Sequence, residues 1–150
     1  MTWYKLIFII VLIALAGFLY NFAKQTQSLS SAVSPVTDGK DLIIITYPTR
    51  DTVITSPLVV TGKARGSWYF EGDFPVVLTD WDGLIIAEGY AEAKGGWMTP
   101  AYVPFEATLN FSNPATDQDF THRGALILKK DNPSGLPAND ASVEIPIRFK

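Results

Sequence analysis

From Leu42 onward the chain alternates apolar and polar residues with a period of two. Leu58, Val60, Gly62 and Ala64 alternate with Val59, Thr61, Lys63 and Arg65. Phe74, Val76 and Leu78 alternate with Pro75, Val77 and Thr79. Phe105, Ala107, Leu109 and Phe111 alternate with Glu106, Thr108 and Asn110, and Val143, Ile145, Ile147 and Phe149 with Glu144, Pro146 and Arg148. Successive side chains of a strand point to opposite faces, so this pattern predicts strands with one buried face. Leu42–Tyr47, Leu84–Ala93 and Ala125–Lys130 are further predicted strands. Asp82-Gly83 predicts a tight hairpin turn, Gly95-Gly96 a break, and Asn132 to Pro137 a loop before the last strand. Pro146 has no N–H for a ladder and predicts an edge position for that strand. No helical stripe of useful length occurs after residue 41. About seven short strands in one domain of residues 42–150 predict an antiparallel β-sandwich.

The N-terminal pattern is of another kind. Leu6 to Ala23 carry no charge and lie between Lys5 and Lys24. As a helix these residues span about 27 Å at about 1.5 Å per residue, close to the hydrocarbon core of a bilayer. Trp3, Tyr4 and Tyr20 fall where an interfacial aromatic belt would place them. Residues 1–23 are therefore expected to be one transmembrane signal-anchor helix, with membrane contact through residues 3–23. Ala14-Leu15-Ala16 fits a signal-peptidase site formally, but the apolar run continues through it. Residues 24–41 are rich in Ser, Thr and Gln and show no apolar period, which predicts a flexible linker. The short N-terminal flank places the C-terminal domain outside the cytoplasm as a single-pass membrane protein.

Composition narrows the chemistry. The chain has 150 residues, 12 Lys plus Arg, 15 Asp plus Glu and a net charge of −3. That balance lacks the basic surplus of a general nucleic-acid binder, so no nucleic-acid partner is expected. With no cysteine there are no disulfides, thiolate metal sites or cysteine nucleophiles. The one histidine, His122, cannot build a multi-histidine metal site and reads as a solvated loop residue. Asp80-Trp81-Asp82-Gly83 and Asp117-Gln118-Asp119 offer oxygen ligands, but the EF-hand loop is missing and Asp82-Gly83 has a turn explanation. No G-x-S-x-G elbow surrounds a serine. The expectation is a non-enzyme with no metal and no cofactor.

Three stretches resemble one known family. They are Ser56 to Glu71 (SPLVVTGKARGSWYFE), Gly95-Gly96-Trp97-Met98-Thr99 and Lys130-Asp131-Asn132-Pro133-Ser134-Gly135. Together, over Ile43 to Phe149, they resemble the immunoglobulin-like domain associated with bacterial spore germination (the Gmad domain, second type). The resemblance implies an immunoglobulin-like β-sandwich with an interaction role in the bacterial cell envelope, in a sporulation or germination setting. No companion germination domain accompanies it.

Two clusters are candidates for that interaction. Arg65, Trp68, Tyr69 and Glu71 combine a planar cation with flat aromatic rings, residue types enriched at binding hot spots. Their structural alternative is an ion pair of Arg65 with Glu71 or Asp131, with Trp68 and Phe70 plugging the sandwich end. Asp131, Asn132 and Ser134 form a polar edge or, alternatively, a plain structural turn. Trp97 reads as core. The expected function is a membrane-anchored adaptor that binds an envelope protein. The alternatives are peptidoglycan or other glycan binding, with rings stacking on sugars, and a glycan-cleaving carboxylate pair.

Overall fold

The computed structural model describes Trp3, Val36–Thr37 and residues 42–150. The apolar segment Leu6 to Ala23 expected to anchor the chain lies outside the described residues, as does most of segment 24–41.

Nine strands form one curled sheet: β1 (Val36–Thr37), β2 (Ile43–Tyr47), β3 (Thr52–Ile54), β4 (Leu58–Arg65), β5 (Asp73–Asp80), β6 (Ile85–Ala93), β7 (Tyr102–Leu109), β8 (Arg123–Lys129) and β9 (Ser142–Phe149). Their spatial order is β1-β2-β4-β7-β6-β5-β8-β9-β3. The sheet folds into two layers, β1-β2-β4-β7 and β6-β5-β8-β9-β3. The layers join where β6 meets β7, at the register pairs Glu92↔Glu106 and Ala93↔Phe105. Within a layer the ladders are long: β4 pairs β7 from Leu58↔Leu109 to Arg65↔Tyr102.

The alternation read from the sequence is the burial pattern of β4, β7 and β9. Leu58, Val60, Ala64, Phe105, Ala107, Leu109, Val143, Ile145, Ile147 and Phe149 face the core, and their polar neighbours face out. Phe74 of β5 meets Phe105 of β7 across the layers at 5.0 Å between ring centres, with planes at 78°. β5 departs from simple alternation: Val77 and Thr79 are buried along with Phe74, Val76 and Leu78. The strand lies between β6 and β8, with Glu88 and Ile127 as the register partners of Val77.

Four expectations change. Among the described residues there are nine strands rather than about seven, because β1 and β3 are too short to show a period. Val36 and Thr37, placed in the linker, form β1 against Ile45 and Ile44. β9 is not the edge strand, since β3 pairs parallel with Ile147–Phe149. Pro146 is tolerated because its carbonyl faces the β3 side and accepts the Asp51 N–H at 2.8 Å, so its nitrogen faces that side too, away from β8. Phe111 falls beyond β7; its N–H donates to Ser56 Oγ, and its ring packs 5.8 Å from that of Phe149.

The Asp82-Gly83 turn forms as expected, with Gly83 at φ 82°. Asp80 Oδ1 accepts the N–H groups of Asp82 and Leu84, both at 2.9 Å, so this carboxylate is occupied by its own turn.

Candidate functional site

The candidate residues converge at one end of the sandwich, built from segments 66–72, 94–101 and 130–141. β4 ends at Arg65, and the chain makes a 3-10 turn over Gly66–Trp68. The Gly66 N–H donates to the Thr99 carbonyl at 3.1 Å. A Cβ at Gly66 would collide with the carbonyls of Thr99 and Trp97, so this close approach requires glycine. The turn drives Trp68 inward. Trp68 and Tyr69 are 0% and 4% exposed, and both pack on Phe74 at 6.1 Å and 5.2 Å between ring centres.

These positions correct the expectation that Trp68 and Tyr69 offer flat faces to a partner or a sugar. The rings plug the end of the core. The Tyr69 hydroxyl donates to the Val103 carbonyl at 2.7 Å, and burial pushes its phenol up to about 12, with the Ala64 backbone opposing. Trp68 Nε1 is buried with no hydrogen-bond partner.

Glu71 stays outside. It is exposed on a turn where Glu71 and Gly72 both have positive φ, 54° and 98°. Phe70 and Asp73 close this turn by exchanging N–H···O bonds of 3.1 and 3.3 Å. Asp131 is tied to the turn, its N–H donating to the Trp68 carbonyl at 3.0 Å. Burial, then the charges of Asp131, Glu71 and Glu92, hold the Asp73 carboxyl above its ordinary value. Asn132 and Ser134 serve their own loop. Asn132 Nδ2 donates to the Leu136 carbonyl and to Asp140 Oδ1 at 2.9 and 2.7 Å, while Ser134 Oγ donates to Asn132 Oδ1 and accepts from Asn139 Nδ2. The turn reading fits these two residues.

Arg65 forms neither of the ion pairs considered for it. Its Nη1 donates to the Pro100 carbonyl at 3.0 Å, and its guanidinium carbon lies 4.1 Å from the centre of the Tyr102 ring. Lys63 Nζ lies 5.2 Å from the same centre. Cation–ring contacts at these distances stabilise by about 0.5–1 kcal/mol at exposed sites. The three residues share the outward face of β4 and β7, where Arg65↔Tyr102 and Lys63↔Pro104 are register partners. Among the described residues the ion pairs are Lys94–Glu106, Arg123–Asp119 and Arg148–Asp119, so neither Lys63 nor Arg65 is neutralised by a carboxylate.

Sequence reasoning found Arg65 and the outward direction of Lys63 but missed Tyr102. The signal was its place at the start of a strand whose partner ends at Arg65. Reasoning also missed the opposite end of the sandwich. There Trp81, Leu84, Ile85 and Phe120 are exposed, with Trp81 and Phe120 edge-to-face at 4.8 Å. A shallow groove of about 380 Å³ beside them is lined in part by Asp80, Arg123, Ile127 and Glu144. His122 is not solvated loop. Its ring nitrogens lie 3.2 Å from the Phe149 carbonyl and 3.0 Å from the Thr116 carbonyl, tying loop to strand. Trp97 is half-buried on the core, whereas Met98 is 85% exposed. Among the described residues no cluster of three acidic or imidazole groups is placed to hold a metal ion.

The model of the Gmad2 family, the immunoglobulin-like domain of bacterial spore germination, matches residues 42–123. The chain belongs to this family. The match takes in two of the three motifs, Ser56 to Glu71 and Gly95 to Thr99, and stops before Lys130 to Gly135. Lys63, Arg65 and Tyr102 therefore lie within the Gmad2 match, whereas Asp131, Asn132 and Ser134 lie beyond it. The all-β curled sheet is consistent with an immunoglobulin-like domain. No curated protein and no solved structure matches the chain.

Proposed function

We propose that the chain is a non-enzymatic binding domain of the bacterial cell envelope, held by its N-terminal segment and displayed outside the cytoplasm, where it docks an envelope protein. The uncharged run Leu6 to Ala23 supports the anchor, and Gmad2 membership supports an interaction role in a sporulation or germination setting. The observation that carries the reading is the Lys63–Tyr102–Arg65 face. Its two cations lie on β4 and its ring on the paired β7, and Arg65 is fixed by Pro100 and Tyr102 before any partner arrives. Fixing a charged group in advance reduces the ordering cost of association. Glycan stacking on Trp68 and Tyr69 is withdrawn, because both rings are buried.

The test is a photo-crosslinking amino acid at Pro104, opposite Lys63, in the full chain in living cells. A second at Leu136, on the loop 131–140, serves as control. The expected result is one discrete protein adduct from position 104 and none from 136. Folded, well-expressed protein that gives no protein adduct from position 104 would overturn the reading.

A further inference from the structure

We infer that the Lys63–Tyr102–Arg65 face is a carboxylate-binding site and that its occupant is an acidic, apolar segment of a protein partner. The inference rests on the reading of this face as the docking surface and specifies its chemistry. Two positive charges approach one ring, at 4.1 and 5.2 Å from its centre, and neither has an ion-pair partner among the described residues. Like charges gathered in this way repel, and an anion docked at the ring's rim relieves that repulsion. One guanidinium donor is committed to Pro100 and the guanidinium carbon is held over the Tyr102 ring, which leaves the remaining N–H groups as a fork suited to a carboxylate or phosphate oxygen pair.

The surroundings distinguish the source of that anion. Glu106 lies on the same outward face, opposite Thr61 and two positions along β7 from Pro104, the partner of Lys63. Its carboxylate pairs with Lys94 Nζ at 3.5 Å, and Glu92 is its register partner on β6, which leaves one net negative charge among the three. A polyanion running along the face would meet this negative charge. Pro100, Pro104 and Val59 are exposed around the cations, and Met98 protrudes from the loop that also carries Pro100. A cationic point within apolar surface complements a peptide that alternates a carboxylate with apolar side chains. It does not complement a phosphate polymer.

The test titrates the isotope-labelled full chain with a heptapeptide carrying glutamate at alternate positions between leucine and valine, followed by NMR. The same peptide with glutamine and inorganic phosphate are the comparison arms. The expected result is saturable shifts confined to Lys63, Arg65, Tyr102 and their neighbours with the glutamate peptide. Lys63→Gln, which alters an exposed side chain, should weaken binding about tenfold, the equivalent of one charge-assisted hydrogen bond. Arg65→Gln should weaken it at least as much. Equal binding of the glutamine peptide, binding unchanged by Lys63→Gln, or phosphate binding tighter than the glutamate peptide would each overturn the inference. A crosslinked adduct from position 104 whose yield is unchanged by Lys63→Gln would keep the docking face and reject the carboxylate site, so the two readings fail separately.

Discussion

The N–H of Asp131 donates to the carbonyl of Trp68 at 3.0 Å. Through this bond the loop after β8 closes over the turn after β4, and the indole below has no route to solvent. The candidate end is thus a lid of backbone over aromatic core, with its chemistry displaced sideways onto β4 and β7.

Trp68 should therefore behave as a core residue. Trp68→Ala should cost about 3–5 kcal/mol, because it opens a cavity against Phe74. Trp68→Phe should cost clearly less, since it keeps most of the packing and removes the unpartnered Nε1 donor. Denaturant unfolding of the full chain and both variants checks the order. Equal losses would show that the indole's bulk beyond a single ring carries the packing.

Gly66→Ala should perturb the same end by another route. The added Cβ meets two backbone carbonyls, Thr99 and Trp97, neither of which can rotate away. The expected outcome is a loss of about 1–3 kcal/mol, as for other overpacking changes. NMR shifts should centre on segments 66–72 and 94–101. Gly83→Ala is the contrast: its Cβ meets open space and only φ 82° opposes it.

Tyr69 predicts an alkaline limit. Its phenol is raised from 10.0 to about 12 in the folded protein, so the folded state keeps a proton that the unfolded chain releases. Stability contributed by the neutral phenol is complete below pH about 10 and falls by roughly 1.4 kcal/mol per pH unit up to about 12. Tyr69→Phe should remove this slope, at a cost of about 1–2 kcal/mol at neutral pH for losing the hydroxyl's bond to the Val103 carbonyl. Unfolding measured at pH 8, 10 and 11 separates the two contributions.

Asp73 acts in the acid range. Its carboxyl is raised in the folded state, so folding favours its protonated form. Stability from this group is complete below the ordinary aspartate value, about 3.9, and is lost as pH rises through the raised one. Asp73→Asn should match the parent near pH 3 and exceed it modestly at pH 7. A variant less stable than the parent at pH 7 would show that the carboxylate has a favourable role outweighing its three acidic neighbours.

Much of the sandwich is legible in the sequence because alternation is a local property. In β4, β7 and β9 each residue's neighbours announce which face it takes. The strands that were missed, β1 and β3, contain two and three residues, too few for any period. The site was legible only in part. Trp68 sits in a 3-10 turn, where period-two reasoning gives no inward or outward direction. Arg65 could be placed outward, but its ring partner Tyr102 comes from a strand whose register no local pattern reveals. Val77 looked outward and is buried, and its register partners Glu88 and Ile127 come from strands that no local pattern brings beside it.

The join between β6 and β7 has a mechanical consequence. Beyond Glu92↔Glu106 and Ala93↔Phe105, the Lys94 N–H to Pro104 carbonyl bond of 2.8 Å extends the contact by one step. One of the two register pairs sets two glutamates face to face, an arrangement that weakens cross-strand pairing. The domain is built like a book with a short spine: each cover is a long hydrogen-bonded ladder, and the clasp is the apolar interior between them. Under load or mild denaturant the covers part before either one unravels, so the amide proton of Lys94, which crosses the join to the Pro104 carbonyl, should exchange ahead of those along β4 or β8.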